Sequence, residues 1–126
     1  TGKQVSGDFK EQGRIVQREA ARLGSTILLK GNVDVISDGV HTRFNWTGNP
    51  GMTVGGTGDV LSGVTAAFMA MGFPPFESSV AGAFINGAAG DAAYEEKGFH
   101  LVPMDLVERI PRVVEDALAG RMRAKR

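Results

Sequence analysis

The sequence contains no cysteine, and this absence excludes disulfides and thiolate metal sites. It has no excess of charge of either sign, because 14 basic residues balance 14 acidic ones. That balance favours neither nucleic acid nor a membrane surface as a partner. No apolar run approaches the roughly 20 residues that a membrane span needs, and the N-terminus carries no hydrophobic signal segment. We therefore expect a cytoplasmic protein.

Strands are also scarce relative to helices. Periodicity and turn residues predict one short apolar strand and a hairpin among four helical segments. A doubly wound sheet needs more strands than these. The sequence also begins at Thr1 rather than Met. Both observations lead us to expect a fragment of a larger domain.

The predicted elements follow in a simple order. A helix over residues 8–23 ends at Gly24, and an apolar strand follows at 26–29. Because this strand is apolar throughout, we expect it to be the central strand, covered on both faces and paired on both edges. Residues 33–37 and 40–44 flank Asp38-Gly39, a favoured hairpin turn.

Three helices are predicted after a glycine-rich loop that spans residues 47–58. They cover residues 60–71, 77–97 and 104–118, and Pro111 is expected to bend the last of them. The second of these helices carries many small residues, a pattern that favours close packing against a neighbour. The basic tail at 121–126 is expected to be solvated.

Glycine makes up 18 of the 126 residues, about twice its usual share of roughly 7%. The segment Gly55-Gly56-Thr57-Gly58-Asp59 leads from a glycine-rich loop into a helix. Free backbone N–H groups and the positive end of the helix dipole converge there, which is an anion site. A carboxylate beside that anion could be a general base or a metal ligand, and the alternative is that Asp59 only caps the helix.

These residues carry a family resemblance. The segment from Gly56 to Gly63 resembles the signature of ribokinase-like enzymes. The longer stretch from Thr47 to Asp59 resembles that of the ADP/ATP-dependent NAD(P)H-hydrate dehydratases. Leu28-Leu29-Lys30-Gly31, Asn86-Gly87-Ala88-Ala89-Gly90-Asp91 and Met104-Asp105-Leu106 recur at matching places, so the similarity runs from Gly13 to Pro111.

The resemblance implies an α/β fold, a ribokinase-like three-layer sandwich. Residues 1–126 would be the C-terminal half of that single domain, with a hairpin and with three helices after the glycine-rich loop. The N-terminal half would then be absent from this chain and could be supplied by another chain. We also expect a homo-oligomer.

The resemblance further implies a lyase that repairs hydrated NADH or NADPH. ADP or ATP, with Mg²⁺, would phosphorylate the hydroxyl of the hydrated ring, and loss of phosphate would restore the double bond. Asp59 matches the catalytic residue, and with Asn49 it would bind the substrate. The anion hole would consist of Gly55, Gly56, Thr57 and Gly58. The nucleotide-binding residues would be Lys30, Gly31, Asn32, Val33, Asp34 and Gly58.

Several alternatives remain open from the sequence alone. Most family members read Lys-Gly-Ala-x-Thr where this chain has Asn32 and Asp34, which leaves those side-chain contacts in doubt. Lys30 could simply be solvated. Asn86, where many members have His, is expected to be buried and bonded to backbone. An ATP-dependent kinase for a hydroxymethyl group of a vitamin precursor or sugar is the alternative activity, and a non-enzymatic nucleotide-binding module is a third.

Overall fold

The computed structural model describes residues 7–122. Two 3₁₀ turns, Pro50–Met52 and Gly98–His100, separate some of the longer elements. Those elements are α1 (Phe9–Leu23), β1 (Ile27–Leu29), β2 (Asp34–Ser37), β3 (Thr42–Asn45), α2 (Thr57–Ala70), α3 (Pro75–Lys97) and α4 (Pro103–Leu118). The hairpin and the three helices after the glycine-rich loop are confirmed. Residues 123–126 of the predicted basic tail lie outside the described residues.

The ends of α1 follow from residues seen in the sequence. The Asp8 carboxylate accepts a hydrogen bond from the backbone N–H of Lys10 at 3.0 Å, which satisfies a donor that the first turn leaves free. Gly24 ends the helix in the left-handed conformation, with φ of 61°. The predicted boundaries of this helix are confirmed.

The sheet is an antiparallel meander in the order β1-β2-β3. Leu28 pairs with Ile36 across the first two strands, and Val35 pairs with Phe44 across the second two. The predicted hairpin is therefore confirmed, although its strands begin one or two residues later than expected.

The Asp38 side chain shapes the turn of this hairpin. Its Oδ1 accepts the backbone N–H groups of Val40 and His41 at 2.8 and 2.6 Å. The pKa of Asp38 is lowered to about 2, mainly by the hydrogen bond from the backbone N–H of His41 and next by the hydrogen bond from the His41 side chain. The two-residue turn expected from Asp38-Gly39 is thus a four-residue connection, because Ser37 pairs with Thr42.

Within this chain, the predicted strand at residues 26–29 lies at the edge of the sheet, and its place as a central strand of a larger sheet stays a prediction. Within the described residues, β1 pairs only with β2, and its three residues are half-buried. All four residues of β2 are buried instead, because β2 lies between two strands and is covered by helices on both faces. An apolar run shows that a strand is covered, but not which strand pairs on both sides.

The helices form layers on the two faces of this sheet. Helix α1 packs on one face, α3 packs on the other, and α2 and α4 pack against α3. The larger hydrophobic core lies among these last three helices and includes Ala89, Leu101 and Leu106. Within residues 7–122, no helix has the length and apolar character required to cross a membrane.

Glycines on α3 allow its neighbours to approach closely. A Cβ on Gly82 would lie 2.3 Å from Thr65 Oγ1, and one on Gly90 would lie 2.1 Å from Met52 Sδ. A Cβ on Gly87 would lie 2.6 Å from the backbone carbonyl of Thr47. The close packing expected from the small residues of this helix is therefore confirmed.

We expect Gly87→Ala to lower the free energy of unfolding by about 1–3 kcal/mol, because the backbone of Thr47 must move away from the added methyl group. Gly63→Ala is the matched control, since its Cβ would meet nothing within 4 Å and alanine favours a helix interior. Urea unfolding followed by circular dichroism measures both. Equal effects of the two substitutions would contradict this account of the packing.

Candidate functional site

The anion loop, residues 55–58, forms the N-terminus of α2. Gly56 is the N-cap, with φ of 104°, and a Cβ there would lie 2.7 Å from Pro103 Cγ at the start of α4. Within residues 7–122, the backbone N–H groups of the four loop residues make no hydrogen bond. These donors are therefore available to an anion.

The Thr57 side chain holds this loop in place. Thr57 is buried, and its hydroxyl lies 2.9 Å from the carbonyl oxygen of Met52, to which it donates. The hydroxyl points into the protein, so only the backbone N–H of Thr57 remains for an anion. This agrees with its predicted role as a backbone donor.

Asp59 lies at the third position of α2 and is exposed. It is not the N-cap residue, which is Gly56, and so the capping alternative does not describe this structure. Each of the other six aspartates in the described chain accepts a hydrogen bond. In that part of the chain, the Asp59 carboxylate has no such bond and no ion pair. It is available to a ligand.

The predicted nucleotide segment, Lys30 to Asp34, connects β1 and β2. The Asp34 carboxylate accepts the backbone N–H of Gly31 at 3.2 Å and the Asn45 amide at 3.0 Å. Asp34 is only 8% exposed, so its side chain closes the loop from inside. Lys30 and Asn32 are exposed at the loop surface.

A cavity of about 520 Å³ lies between this loop, the segment after β3, and α3. We call it the loop cavity. It brings together most of the predicted nucleotide residues and the predicted substrate residue Asn49, but not Val33. Its lining residues are Lys30, Gly31, Asn32, Asp34, Thr47, Gly48, Asn49, Pro50, Met52, Thr53, Asn86 and Gly87.

A second depression, of about 430 Å³, lies along α2 beside the anion loop. Lys30 and Gly58 line it together, with Ser62 of α2 and Ser79 of α3. Lys30 thus borders both spaces. The other residues predicted at the anion hole, and Asp59, line neither of them.

Asp91 of α3 holds the segment that follows β3. Its carboxylate accepts the backbone N–H of Gly48 at 3.1 Å and the Asn49 side-chain amide at 2.9 Å. Asn49 Oδ1 in turn accepts the backbone N–H of Gly51 at 3.0 Å. Both ends of the Asn49 amide are engaged, which leaves one N–H for a substrate. Its role in substrate binding stays a prediction.

Asn86 lies on the α3 wall of the loop cavity. It is 2% exposed, and its Oδ1 has no hydrogen-bond partner among the described residues. The expected burial is confirmed, but Oδ1 accepts no hydrogen bond from the backbone in this part of the chain.

Two residues of the site were missed in the sequence. Thr47 lines the loop cavity and donates to the carbonyl oxygen of Phe84 at 3.0 Å. Asp91 was noted only as part of a recurring motif. Its spacing from Gly87 and Gly90 places all three on one face of α3, and this pattern could have indicated a carboxylate that binds a neighbouring backbone.

Comparison with known families identifies the chain. The family described as NAD(P)H-hydrate dehydratase matches residues 3–112, which is most of the sequence. The chain belongs to the NAD(P)H-hydrate dehydratase family. This confirms the resemblance inferred from the segment between Thr47 and Asp59.

Two curated relatives show how much of such a protein is present. The bifunctional NAD(P)H-hydrate repair enzyme Nnr of Pyrobaculum aerophilum is 51% identical over 90% of this chain and 23% of its own length. The ADP-dependent (S)-NAD(P)H-hydrate dehydratase of Cenarchaeum symbiosum is 50% identical over 90% of this chain and 40% of its own. The chain therefore spans well under half the length of either NAD(P)H-hydrate dehydratase relative.

Solved structures agree with the expected fold. The ADP/ATP-dependent NAD(P)H-hydrate dehydratase of Bacillus subtilis, co-crystallised with ATP and Mg²⁺, matches with a TM-score of 0.78 and 29% identity over 85% of this chain and 39% of its own. The hydroxyethylthiazole kinase of Pyrococcus horikoshii matches at 0.74 and 27% identity over 85% and 44%. The ribokinase-like α/β fold class is confirmed.

The two glycines of the anion loop are expected to fail in different ways. Gly58→Val should fold, because a Cβ there meets nothing within 4 Å, but it should weaken ADP binding by obstructing the phosphate path. Gly56→Ala should instead destabilise the fold, because of its positive φ and the contact with Pro103. Calorimetry and thermal melting separate the two effects. Normal ADP binding by folded Gly58→Val would mean that the loop is only structural.

Proposed function

We propose that the protein containing this chain carries out nucleotide-dependent dehydration of hydrated NADH or NADPH through a phosphorylated intermediate. The observation that carries the proposal is the unpartnered carboxylate of Asp59 beside the free backbone N–H groups of the anion loop. A base and an oxyanion site at the same helix end are what phosphoryl transfer to a hydroxyl requires.

ADP or ATP would occupy the loop cavity with its phosphates toward the anion loop. The cavity is bordered by the predicted nucleotide segment, and Lys30 lines both this cavity and the depression at Gly58. A lysine ammonium group and backbone donors suit phosphate oxygens. The proposed anion hole at Gly55, Gly56, Thr57 and Gly58 would bind the migrating phosphoryl group.

Mg²⁺ would neutralise phosphate charge during the transfer. It prefers oxygen ligands, and it is often held by one or two carboxylates together with substrate phosphates. The exposed Asp59 carboxylate has the right chemistry for such a ligand. A role in metal binding would compete with the role of Asp59 as a base.

In the proposed reaction, Asp59 takes the proton of the ring hydroxyl, whose oxygen attacks the terminal phosphorus. The bond between that phosphorus and its bridging oxygen breaks, so ADP would leave AMP and ATP would leave ADP. The phosphorylated ring then loses phosphate, which takes the electrons of the C–O bond. A proton lost from the adjacent ring carbon restores the double bond. Asn49 would help to position the substrate through its remaining N–H.

The alternative activity is ATP-dependent phosphorylation of a hydroxymethyl group on a vitamin precursor or sugar. The structural similarity to hydroxyethylthiazole kinase favours keeping it. Asp59 and the anion loop would serve both reactions, which differ in whether the phosphorylated product survives. Recovery of a stable phosphate ester would favour the kinase.

The proposal also concerns what surrounds the chain. The remainder of a ribokinase-like domain would supply further sheet and substrate contacts, and the assembled protein would be a cytoplasmic homo-oligomer. Support for the missing remainder of the domain comes from the fraction of the relatives that the chain spans and from the one-sided pairing of β1 within the described residues.

Asp59→Asn should abolish turnover of hydrated NADH while nucleotide binding survives, since the anion loop is built from backbone groups. A positioned base contributes roughly 10²–10⁴-fold to the rate. Turnover and calorimetric ADP affinity should be measured on the complete protein, with Asp38→Asn as the control aspartate outside the site. A variant that kept more than about a tenth of the rate would remove Asp59 from the mechanism.

The isolated 126 residues should not form an active, independently stable enzyme. The outer edge of β1 would expose unpaired backbone groups, which invites association with other chains. Small-angle scattering and thermal melting of the isolated chain measure this. A compact, monodisperse monomer that melts cooperatively would show that residues 1–126 are not half of a domain.

A further inference from the structure

Asn86 is an enclosed polar side chain that the fold does not use. It is 2% exposed, and its Oδ1 has no hydrogen-bond partner among residues 7–122. An enclosed polar atom without a partner lowers stability, and most such atoms in proteins are satisfied. The position of Asn86 on the wall of the loop cavity indicates that a bound molecule supplies the missing partner.

The position of Asn86 relative to the anion loop follows from helix α3. Ser79 borders the depression that contains Gly58, and Asn86 lies seven residues further along the same helix. At 1.5 Å per residue this separation is roughly 10 Å. A nucleoside diphosphate with its phosphates near Lys30 and Gly58 would therefore extend its base toward Asn86.

We propose that the carboxamide of Asn86 recognises the adenine base of the bound nucleotide. Its oxygen accepts a hydrogen bond from the exocyclic N6 amino group, and its nitrogen donates to N7. This inference rests on the proposed function, because it takes the ligand of the loop cavity to be a nucleotide. The terminal torsion of asparagine is soft, so the amide can turn to meet the base.

The chemistry of this pairing selects adenine over guanine. Along the N6 and N7 edge, adenine offers one donor and one acceptor, which an asparagine amide matches at both ends. Guanine offers two acceptors on the same edge. Either orientation of the Asn86 amide would leave its oxygen facing a guanine acceptor.

The test uses the complete protein and the probes ADP and GDP. Asn86→Leu removes both hydrogen-bonding ends, so ADP affinity should fall about 10-fold or more while GDP affinity changes little. The ratio of the two affinities should therefore fall. In the unliganded protein, the melting temperature should stay the same or rise, because an unsatisfied buried atom has been removed.

Asn86→Ala and Ser78→Ala complete the design. Asn86→Ala removes both hydrogen-bonding ends without adding bulk, so the ADP to GDP ratio should also fall. Ser78 is buried on the same helix and outside the loop cavity, and its hydroxyl donates to the carbonyl oxygen of Phe73 at 3.2 Å. Ser78→Ala should lower the melting temperature and leave the ratio unchanged.

Each contrary outcome has a distinct meaning. If Asn86→Leu lowers the melting temperature and keeps the ratio, Asn86 is structural and the inference fails. If that variant does not fold, the ratio for Asn86→Ala decides, and an unchanged ratio overturns the inference. Wild-type protein that binds GDP as well as ADP overturns the inference alone. Failure to bind either nucleotide overturns the proposed function as well.

Discussion

The contact between α3 and the segment that follows β3 determines where every part of the site lies. Thr47 rests on Gly87 so closely that no side chain fits between them, and its hydroxyl donates to the carbonyl oxygen of Phe84. Asp91 then binds the next two residues of the segment. Because the segment is held on α3, α2 begins at a fixed point, with Gly58 of its first turn on the second depression that Lys30 also lines. Without glycine on this face of α3, the backbone could not approach closely enough.

The polar groups of the site divide into two kinds. One kind forms hydrogen bonds with backbone groups of the protein itself and so holds loops in place, as the side chains of Asp34, Thr57 and Asp91 do. The Asp59 carboxylate, the backbone donors at 55–58 and the Asn86 oxygen have no partner in the described part of the chain. A fold that satisfies its structural polar groups but leaves a few without partners at two neighbouring places, the anion loop and the loop cavity, keeps those groups available for binding.

The sequence predicted the helices well because their signals are local. Asp8 and Gly24 sit at the ends of α1, and the apolar spacing within each helix is visible over a few turns. The order of the strands could not be predicted in the same way, because residues 27–29 do not indicate which strand pairs with them on either side. The Asp91 contact joins residues 42 positions apart, so neither residue's neighbours indicate it. The lack of a hydrogen-bond donor for Asn86 Oδ1 likewise depends on tertiary packing, which the residues next to it in sequence do not indicate.

The departure from the family pattern at residues 32–34 has a structural consequence. Where most members have threonine, Asp34 supplies an oxygen that accepts the Gly31 N–H, and a second oxygen that accepts the Asn45 amide. The loop therefore keeps an internal acceptor while it gains an acidic group on the cavity wall. An acidic group there disfavours phosphate, and Lys30 and the anion loop attract it at the other side. This charge arrangement favours a nucleotide whose phosphates lie toward α2 and whose base lies toward α3, the orientation in which Asn86 can contact the base.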